Sequence, residues 1–317
     1  MSTFKIRHIT RYNYEIPVRD SANQIMLYPI QDGFQEVIDH TIIISGNPAL
    51  YVYQDYYGNK VGTFTHSQPH HQLIIDSRIQ ITTKSKELPA NTTTAKEQWD
   101  ALHKLKSEIL FIDFFKQEKF ESILEVESLI KEYHTTTKTP LEFALHFCEY
   151  IYKNFKYKKG ITTVESTVDE IWEIKSGVCQ DFAHMLLVML RLNQIPSRYV
   201  SGYICPNKKG MRGEGATHAW VEVFIPFYGW LGLDPTNNCI VNDTHVRLAV
   251  GKNFSDCSPV KGTYRGTSDH TLEVVVSVAY EDNNIVKDVA EHVHLEPVDS
   301  YNRNSFRKFQ EMQQMQQ

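Results

Sequence analysis

Hydrophobic and polar residues alternate through much of the first 83 positions of this chain. "FKIRHITRYNYEI", "EVIDHTIIISG" and "LIIDSRIQITT" carry the two-residue period of half-buried strands. "YGNKVG" (Tyr57 to Gly62) puts Gly and Asn where a hairpin would turn. The pattern predicts an antiparallel β domain over residues 1–90. "KSKELPANTTTAKEQ" (Lys84 to Gln98) is polar and rich in breakers, and marks the expected boundary.

Beyond it the period lengthens. Trp99, Leu102, Leu105, Ile109 and Ile112 recur at steps of three and four, as on one helix face. Thr139 before Pro140 reads as an N-cap followed by proline at the first helical position. Leu141, Leu145, Cys148, Tyr152 and Phe155 form a second apolar stripe. A third, Phe182, Ala183, Leu186, Leu187 and Leu190, starts after Cys179 and should stop near Asn193, because Pro196 follows. "SRYVSGYI", "HAWVEVFI" and "GWLGLDP" then read as strands. A final β segment, "HTLEVVVSVAYED", is assigned with the helices to a second domain over 91–300. The polar, Gln-rich tail over 301–317 receives no function. No internal repeat is found.

A chain of 317 residues with 41% hydrophobic content can build two modest domains. The formal charge of −5 argues against nucleic acid as the main partner, since phosphate binding wants a basic face. No apolar run approaches the roughly 18 residues of a membrane span, and "MSTFKIRHITRYNYEIPV" lacks the apolar core of a secretory signal. The five cysteines are widely spread with no CxxC pair. That fits neither a disulfide framework nor a zinc ribbon, and sets the expectation of a reducing, cytoplasmic compartment.

Chemistry enters with "SGVCQDFAHMLLVMLRL". A cysteine at a helix start sits at the positive end of the helix dipole beside unpaired N–H groups, which favour a thiolate and could hold an oxyanion. Taken alone, Cys179 reads more readily as a small core residue. In "THAWVEVFIPFYGWLGLDP", a regular hairpin turning at Pro226 would set Phe224 opposite Tyr228. The same register sets His218 opposite Asp234. A carboxylate beside an imidazole fixes its tautomer and favours its cation. Cys179, His218 and Asp234 together have the logic of a nucleophile, a base and an orienter.

"GVCQDFAHMLLVMLRLNQIPSRYVSGY", "THAWVEVF" and "GWLGLDPTNN" together resemble the core of bacterial transglutaminase-like proteins, a group that includes candidate cysteine proteases. "YNYEIPVRDSANQIMLYP" and "DYYGN" resemble the β-rich N-terminal region that accompanies this core. "HVRLAVGKNFSDCSPVKGTYRG" resembles the stretch after its aspartate. The resemblance implies an α+β, papain-like core whose cysteine opens a helix packed on an antiparallel sheet, preceded by an antiparallel β domain. It also implies Cys179 as nucleophile, His218 as base and Asp234 as orienter. The expected activity is thiol-dependent acyl transfer at peptide or amide bonds, with hydrolysis favoured because water is the default acceptor. Transamidation to an amine, a deglycosylating amidase and a non-catalytic binding module are the alternatives.

Tyr157, Gln180 and Trp220 are candidates for an oxyanion partner or cleft wall. The competing reading of Tyr157 and Trp220 is core packing, which also covers Trp230, Tyr203 and Asn237. Asp181 suits the first turn of a helix, and His184, off the face of Cys179, reads as a packing residue. His66, His70 and His71 in "HSQPHH" lie at a turn without nearby cysteine, which disfavours a metal. The Gly-rich loop from Cys205 to Thr217 could gate a cleft or be an ordinary surface loop. No metal, cofactor, nucleic acid or membrane is expected, and no calcium-loop signature occurs. The expected partner is a peptide or protein substrate.

Overall fold

The computed structural model describes residues 1–90, 93–133, 137–163, 166–205, 211–212, 216–280 and 289–295. The chain opens with β1 (Ser2–Ile25), β2 (Gln35–Ile44), β3 (Tyr51–Gln54), β4 (Lys60–His66) and β5 (His70–Thr83). Helices α1 (Ala95–Leu105), α2 (Ile112–Phe115), α3 (Ile123–Tyr133) and α4 (Pro140–Asn154) follow. Next come β6 (Lys156–Tyr157), α5 (Val168–Ile174), β7 (Ser176–Gly177) and α6 (Cys179–Leu192). The chain continues through β8 (Ser197–Ile204), β9 (Ala216–Ile225), β10 (Gly229–Asp234), β11 (Cys239–Ile240), β12 (His245–Gly251) and α7 (Phe254–Cys257). It then forms β13 (Val260–Arg265), β14 (His270–Tyr280) and β15 (Val289–Leu295). This is the α+β architecture expected, with β strands first.

β1 is the seam of the N-terminal sheet. Phe4, Ile6, His8 and Thr10 point inward from its first half in strict alternation. That half pairs with β5 and β14, and the second half with β4 and β13. The C-terminal strands thus complete the N-terminal sheet instead of the helical domain, which corrects the expected division at 91–300. The reason is non-local: β14 runs against β1 from Phe4↔Tyr280 to Tyr14↔His270, a pairing that leaves no mark on either sequence segment. The hairpin read from "YGNKVG" forms between β3 and β4. Asp55 Oδ1 accepts from Tyr57 N–H and Asn59 N–H, and Gly58 supplies a left-handed φ of 83°.

The second sheet has the antiparallel order β11-β10-β9-β8-β12. Ala219, Val221, Val223, Leu231 and Leu233 share a core with the helices. Tyr203, Val246 and Leu248 pack with Phe4, Ile6 and Ile75 of the N-terminal sheet. The sheet is therefore covered on both faces. α6 is almost wholly buried between β8 and β9 and the helices α3, α4 and α5. It ends where proline required: Gln194 takes a left-handed φ of 59° and Ile195 N–H reaches back to Leu190 O at 2.9 Å.

Two helix faces differ from the reading of the sequence. α1 stops at Leu105, where a tight turn intervenes, and Ile109 and Ile112 are exposed. α4 has the predicted Thr139 cap and Pro140, but buries Phe143, Ala144, Phe147, Cys148 and Ile151. Both stripes of α4 are apolar, and the packing of α6 selects the second. No helix among the described residues is long and apolar enough to cross a membrane.

Candidate active site

The site begins where the chain enters α6. Ser176 and Gly177 pair in parallel with Lys156 and Tyr157, which fixes the approach. Asp181 then folds back over the first turn, accepting from Val178 N–H and from the Thr162 hydroxyl, each at 2.7 Å. Gly177 is required here, because a Cβ on it would collide with the Asp181 carboxylate. The first helical bond runs from Phe182 N–H to Val178 O. The N–H groups of Cys179 and Gln180 consequently have no carbonyl one turn back, and they form the positive end of the helix dipole.

Cys179 is half-buried, whereas Cys148, Cys205 and Cys257 are buried. Burial raises those three thiols well above their ordinary range and pushes Cys239 up to about 12.

His218 lies on β9 opposite Gly202 of β8. The β9–β10 register differs from the expected one. Phe224 pairs with Trp230, not Tyr228, because the turn runs through Phe227, whose φ is 66°. His218 and Asp234 are therefore not directly opposite. The slip is by two residues, so both side chains keep the same face. Asp234 Oδ2 lies 2.8 Å from His218 Nε2, and both side chains are fully buried.

Asp234 is a well-filled acceptor. Its Oδ1 receives Thr236 N–H at 2.8 Å and Asn237 N–H at 3.3 Å. Its Oδ2 also receives Asn237 Nδ2 at 2.7 Å and His245 Nε2 at 3.3 Å. Burial disfavours the carboxylate, but His218 and the His245 hydrogen bond outweigh it and hold Asp234 well below the usual carboxylate range. Burial likewise disfavours a cation at His218. The charges of Asp234 and Cys179 outweigh it and raise His218 to about 10. His218 Nδ1 is buried and makes no hydrogen bond of ordinary geometry, and it is the ring nitrogen left for the thiol. Trp220 stacks on the His218 ring at 6.2 Å between centroids.

His218 and Asp234 are in direct contact, and Cys179 lies near enough to His218 to act on its charge. Tyr157 is half-buried beside Gly177, edge-on to Phe182 at 6.2 Å. Gln180 is half-buried at the second position of α6. Trp220 does not line an open cleft: it is fully buried between His218 and His245. His184 is a packing residue against Tyr199, its Nε2 accepting from Phe254 N–H at 3.3 Å. His66 and His70 flank a turn with ring centroids 4.2 Å apart.

The sequence offered Asn237 only as a cleft or core residue and did not reach His245 at all. Asn237 donates to Asp234, and the offset of three within "DPTN" was a local signal for it. His245 arrives from β12, two strands away from β10's partner, and nothing local announces it. The ligand atoms of His218, Asp234 and His245 lie within 4.8 Å of one another. A cation there would have to displace the N–H hydrogens that already occupy the Asp234 lone pairs. Of the Gly-rich loop, residues 206–210 and 213–215 lie outside the described residues. Arg212 N–H donates to Asn237 Oδ1 at 2.8 Å.

A thiol at a helix N-terminus, with an imidazole and a carboxylate on adjoining antiparallel strands, defines a papain-like core. Residues 127–235 match the transglutaminase-like superfamily, and residues 4–82 match the bacterial transglutaminase-like N-terminal region. The chain belongs to the transglutaminase-like superfamily. It is 31% identical over 291 residues to an uncharacterised protein of Mycobacterium tuberculosis, spanning 87% of this chain and 92% of that one. A solved structure of a candidate cysteine protease from Cytophaga hutchinsonii superimposes with a TM-score of 0.72 at 17% identity, covering 93% of this chain and 98% of that one. A Pseudomonas aeruginosa protein-glutamine gamma-glutamyltransferase is 33% identical over 87 residues, only 26% of this chain and 13% of that one.

Proposed function

We propose that this protein is a thiol-dependent acyl-transfer enzyme that cleaves peptide or amide bonds, with Cys179 as nucleophile, His218 as acid and base, and Asp234 as orienter. The observation that carries the reading is the buried 2.8 Å contact between His218 Nε2 and Asp234 Oδ2, which leaves Nδ1 for the thiol of Cys179. Asp234 accepts only, so Nε2 bears its hydrogen and Nδ1 is the atom that exchanges a proton.

The chemistry follows from that tautomer. The Cys179 proton passes to His218 Nδ1 and the sulfur attacks the carbonyl carbon. The carbonyl oxygen becomes an oxyanion, which the N–H groups at the start of α6 can hold. Collapse expels the amine, which takes the proton from Nδ1, and a thioester remains on Cys179. Water then attacks the thioester, giving one proton to His218, and the thiol is regenerated with release of the acid. Family membership supports thiol-dependent enzyme activity, and hydrolysis is the finer choice made here.

The short match to a protein-glutamine gamma-glutamyltransferase favours a second reading, in which an amine replaces water at the thioester. One experiment separates the two. The protein is incubated with casein and a fluorescent primary amine, with Cys179→Ala in parallel. New peptide termini support hydrolysis; ammonia release with amine incorporation supports transfer. Neither product at any substrate concentration would leave a binding module on the same fold.

A further inference from the structure

Asp234 collects five donors, and three of them meet on one oxygen: His218 Nε2, Asn237 Nδ2 and His245 Nε2. The acyl-transfer scheme uses the first and has no step for His245. Yet this second imidazole is fully buried, and its placement is specific. Its Nδ1 lies 3.3 Å from Thr244 Oγ1, which itself donates to Asn242 Oδ1 at 2.7 Å. Trp220 meets the His245 ring edge-on at 5.2 Å and stacks on His218, so one indole wedges both rings.

An ionised carboxylate can only accept, so His245 Nε2 carries its hydrogen toward Oδ2. Thr236 N–H and Asn237 N–H hold Oδ1 from the turn after β10, and Asn237 Nδ2 holds Oδ2 from the same turn. If that turn shifts, the carboxylate shifts with it, and Oδ2 leaves His218. A donor from a different strand, His245 on β12, fixes Oδ2 independently of the turn. The charged and titratable groups facing His245 are Asp234, His218 and Asp243.

We propose that His245 is a positioning residue for the reaction: by donating from Nε2 to Asp234 Oδ2, it locks the carboxylate in the orientation that serves His218. The proposal rests on the acyl-transfer reading above. It acts through Asp234 and requires no contact with substrate.

The test needs no substrate. Alkylation of Cys179 by iodoacetamide is followed by peptide mass spectrometry from pH 5 to 9, in wild type, His245→Leu, His245→Gln and His218→Ala. Thermal melting of each variant is recorded alongside. His245→Leu should slow Cys179 alkylation near pH 6 by about tenfold or more, the size of one lost hydrogen bond to a charged partner. It should also displace the pH profile. His245→Gln should restore most of the rate, because its Nε2–H reaches the same point. Should His245→Leu fail to fold, His245→Asn replaces it, since its shorter amide cannot reach Oδ2.

A wild-type profile in His245→Leu or His245→Asn overturns the proposal. So does a His245→Gln variant as slow as they are. A fall in melting temperature with an unmoved profile assigns His245 a merely structural role and overturns it too. His218→Ala separates the two levels. If it loses the fast reaction while His245→Leu keeps it, the positioning role alone fails. If His218→Ala keeps the fast reaction, the acyl-transfer reading and the positioning role fall together.

Discussion

Asp234 holds His218 along a diagonal of the β9–β10 pair, Oδ2 to Nε2 at 2.8 Å, with both side chains excluded from solvent. A buried pair of this kind ties the fold to pH. His218 is raised to about 10 in the folded protein, so it binds a proton there that the unfolded chain has released. Its contribution is complete below the ordinary histidine value of about 6.5 and is lost as pH rises through the folded value. Asp234 is depressed, so its contribution is present above the ordinary carboxylate value and is lost as pH falls below it. The stability advantage of wild type over Asp234→Asn should therefore be greatest between the ordinary carboxylate and histidine values, near pH 5, and shrink steadily toward pH 10. Urea unfolding of both proteins at pH 5, 7, 9 and 10 checks this. A difference that grows with alkalinity would contradict it.

Cys179 should be the reactive thiol among the five. Burial holds Cys148, Cys205 and Cys257 protonated and raises Cys239 to about 12, whereas Cys179 is half-exposed at a helix N-terminus beside His218. At pH 6, iodoacetamide should modify the peptide carrying Cys179 before any other. Cys179→Ala and His218→Ala should each abolish turnover with the fold intact, and Asp234→Asn should cost less than either. Equal modification of Cys179 and Cys239 would remove the chemical asymmetry on which the proposed mechanism depends.

The sequence made the local parts of this site legible and the long-range parts opaque. α6 could be read to its last residues because period, cap position and Pro196 agree within a short window. The pairing of His218 with Asp234 could be anticipated since a hairpin is local too, although the turn at Phe227 shifted its register by two. An even slip preserves the face, so the contact survived the error. His245 could not be found in this way. It reaches Asp234 only because β12 adds to the outer edge of β8, a pairing between strands about forty residues apart. The return of β14 to β1 is opaque for the same reason. The α4 stripe failed for another cause: several faces of that helix are apolar, and only the packed neighbour decides which is inward.

Gly177 should be intolerant of any side chain. A Cβ there would strike the Asp181 carboxylate, which caps Val178 N–H and holds Thr162. Gly177→Ala must displace Asp181 or the start of α6, and both lie within two positions of Cys179. A loss of about 1–3 kcal/mol is expected, the range for forced overpacking. Slower alkylation of Cys179 should accompany it, because the sulfur moves with the turn. Wild-type melting together with a wild-type alkylation rate would show that the turn absorbs a methyl group freely.

Glu222 should be the stability anchor of the same strand, separable from the chemistry. It lies four residues beyond His218, fully buried, and its carboxylate pairs with Arg198 at 2.6 Å and with Arg247 at 3.4 Å. Arg247 continues to Asp32 in the link between β1 and β2, so the network ties the core sheet to the N-terminal domain. Burial disfavours the Glu222 carboxylate, but the two guanidinium groups outweigh it and keep it ionised. Glu222→Ala takes the carboxylate partner from Arg198 and one of two from Arg247, and should cost about 3–5 kcal/mol, as breaking one side of a buried ion pair does. Because the carboxylate is depressed in the folded state, the wild-type advantage should be present above its ordinary value and fade as pH falls through the folded one. Melting curves of wild type and Glu222→Ala at pH 4, 5 and 7 read both effects. Alkylation of Cys179 well below the melting temperature should be unchanged. A mutant that melts with wild type at pH 7 would mean that solvent or a neighbouring group replaces Glu222 without loss, and the two sheets are held by apolar packing alone.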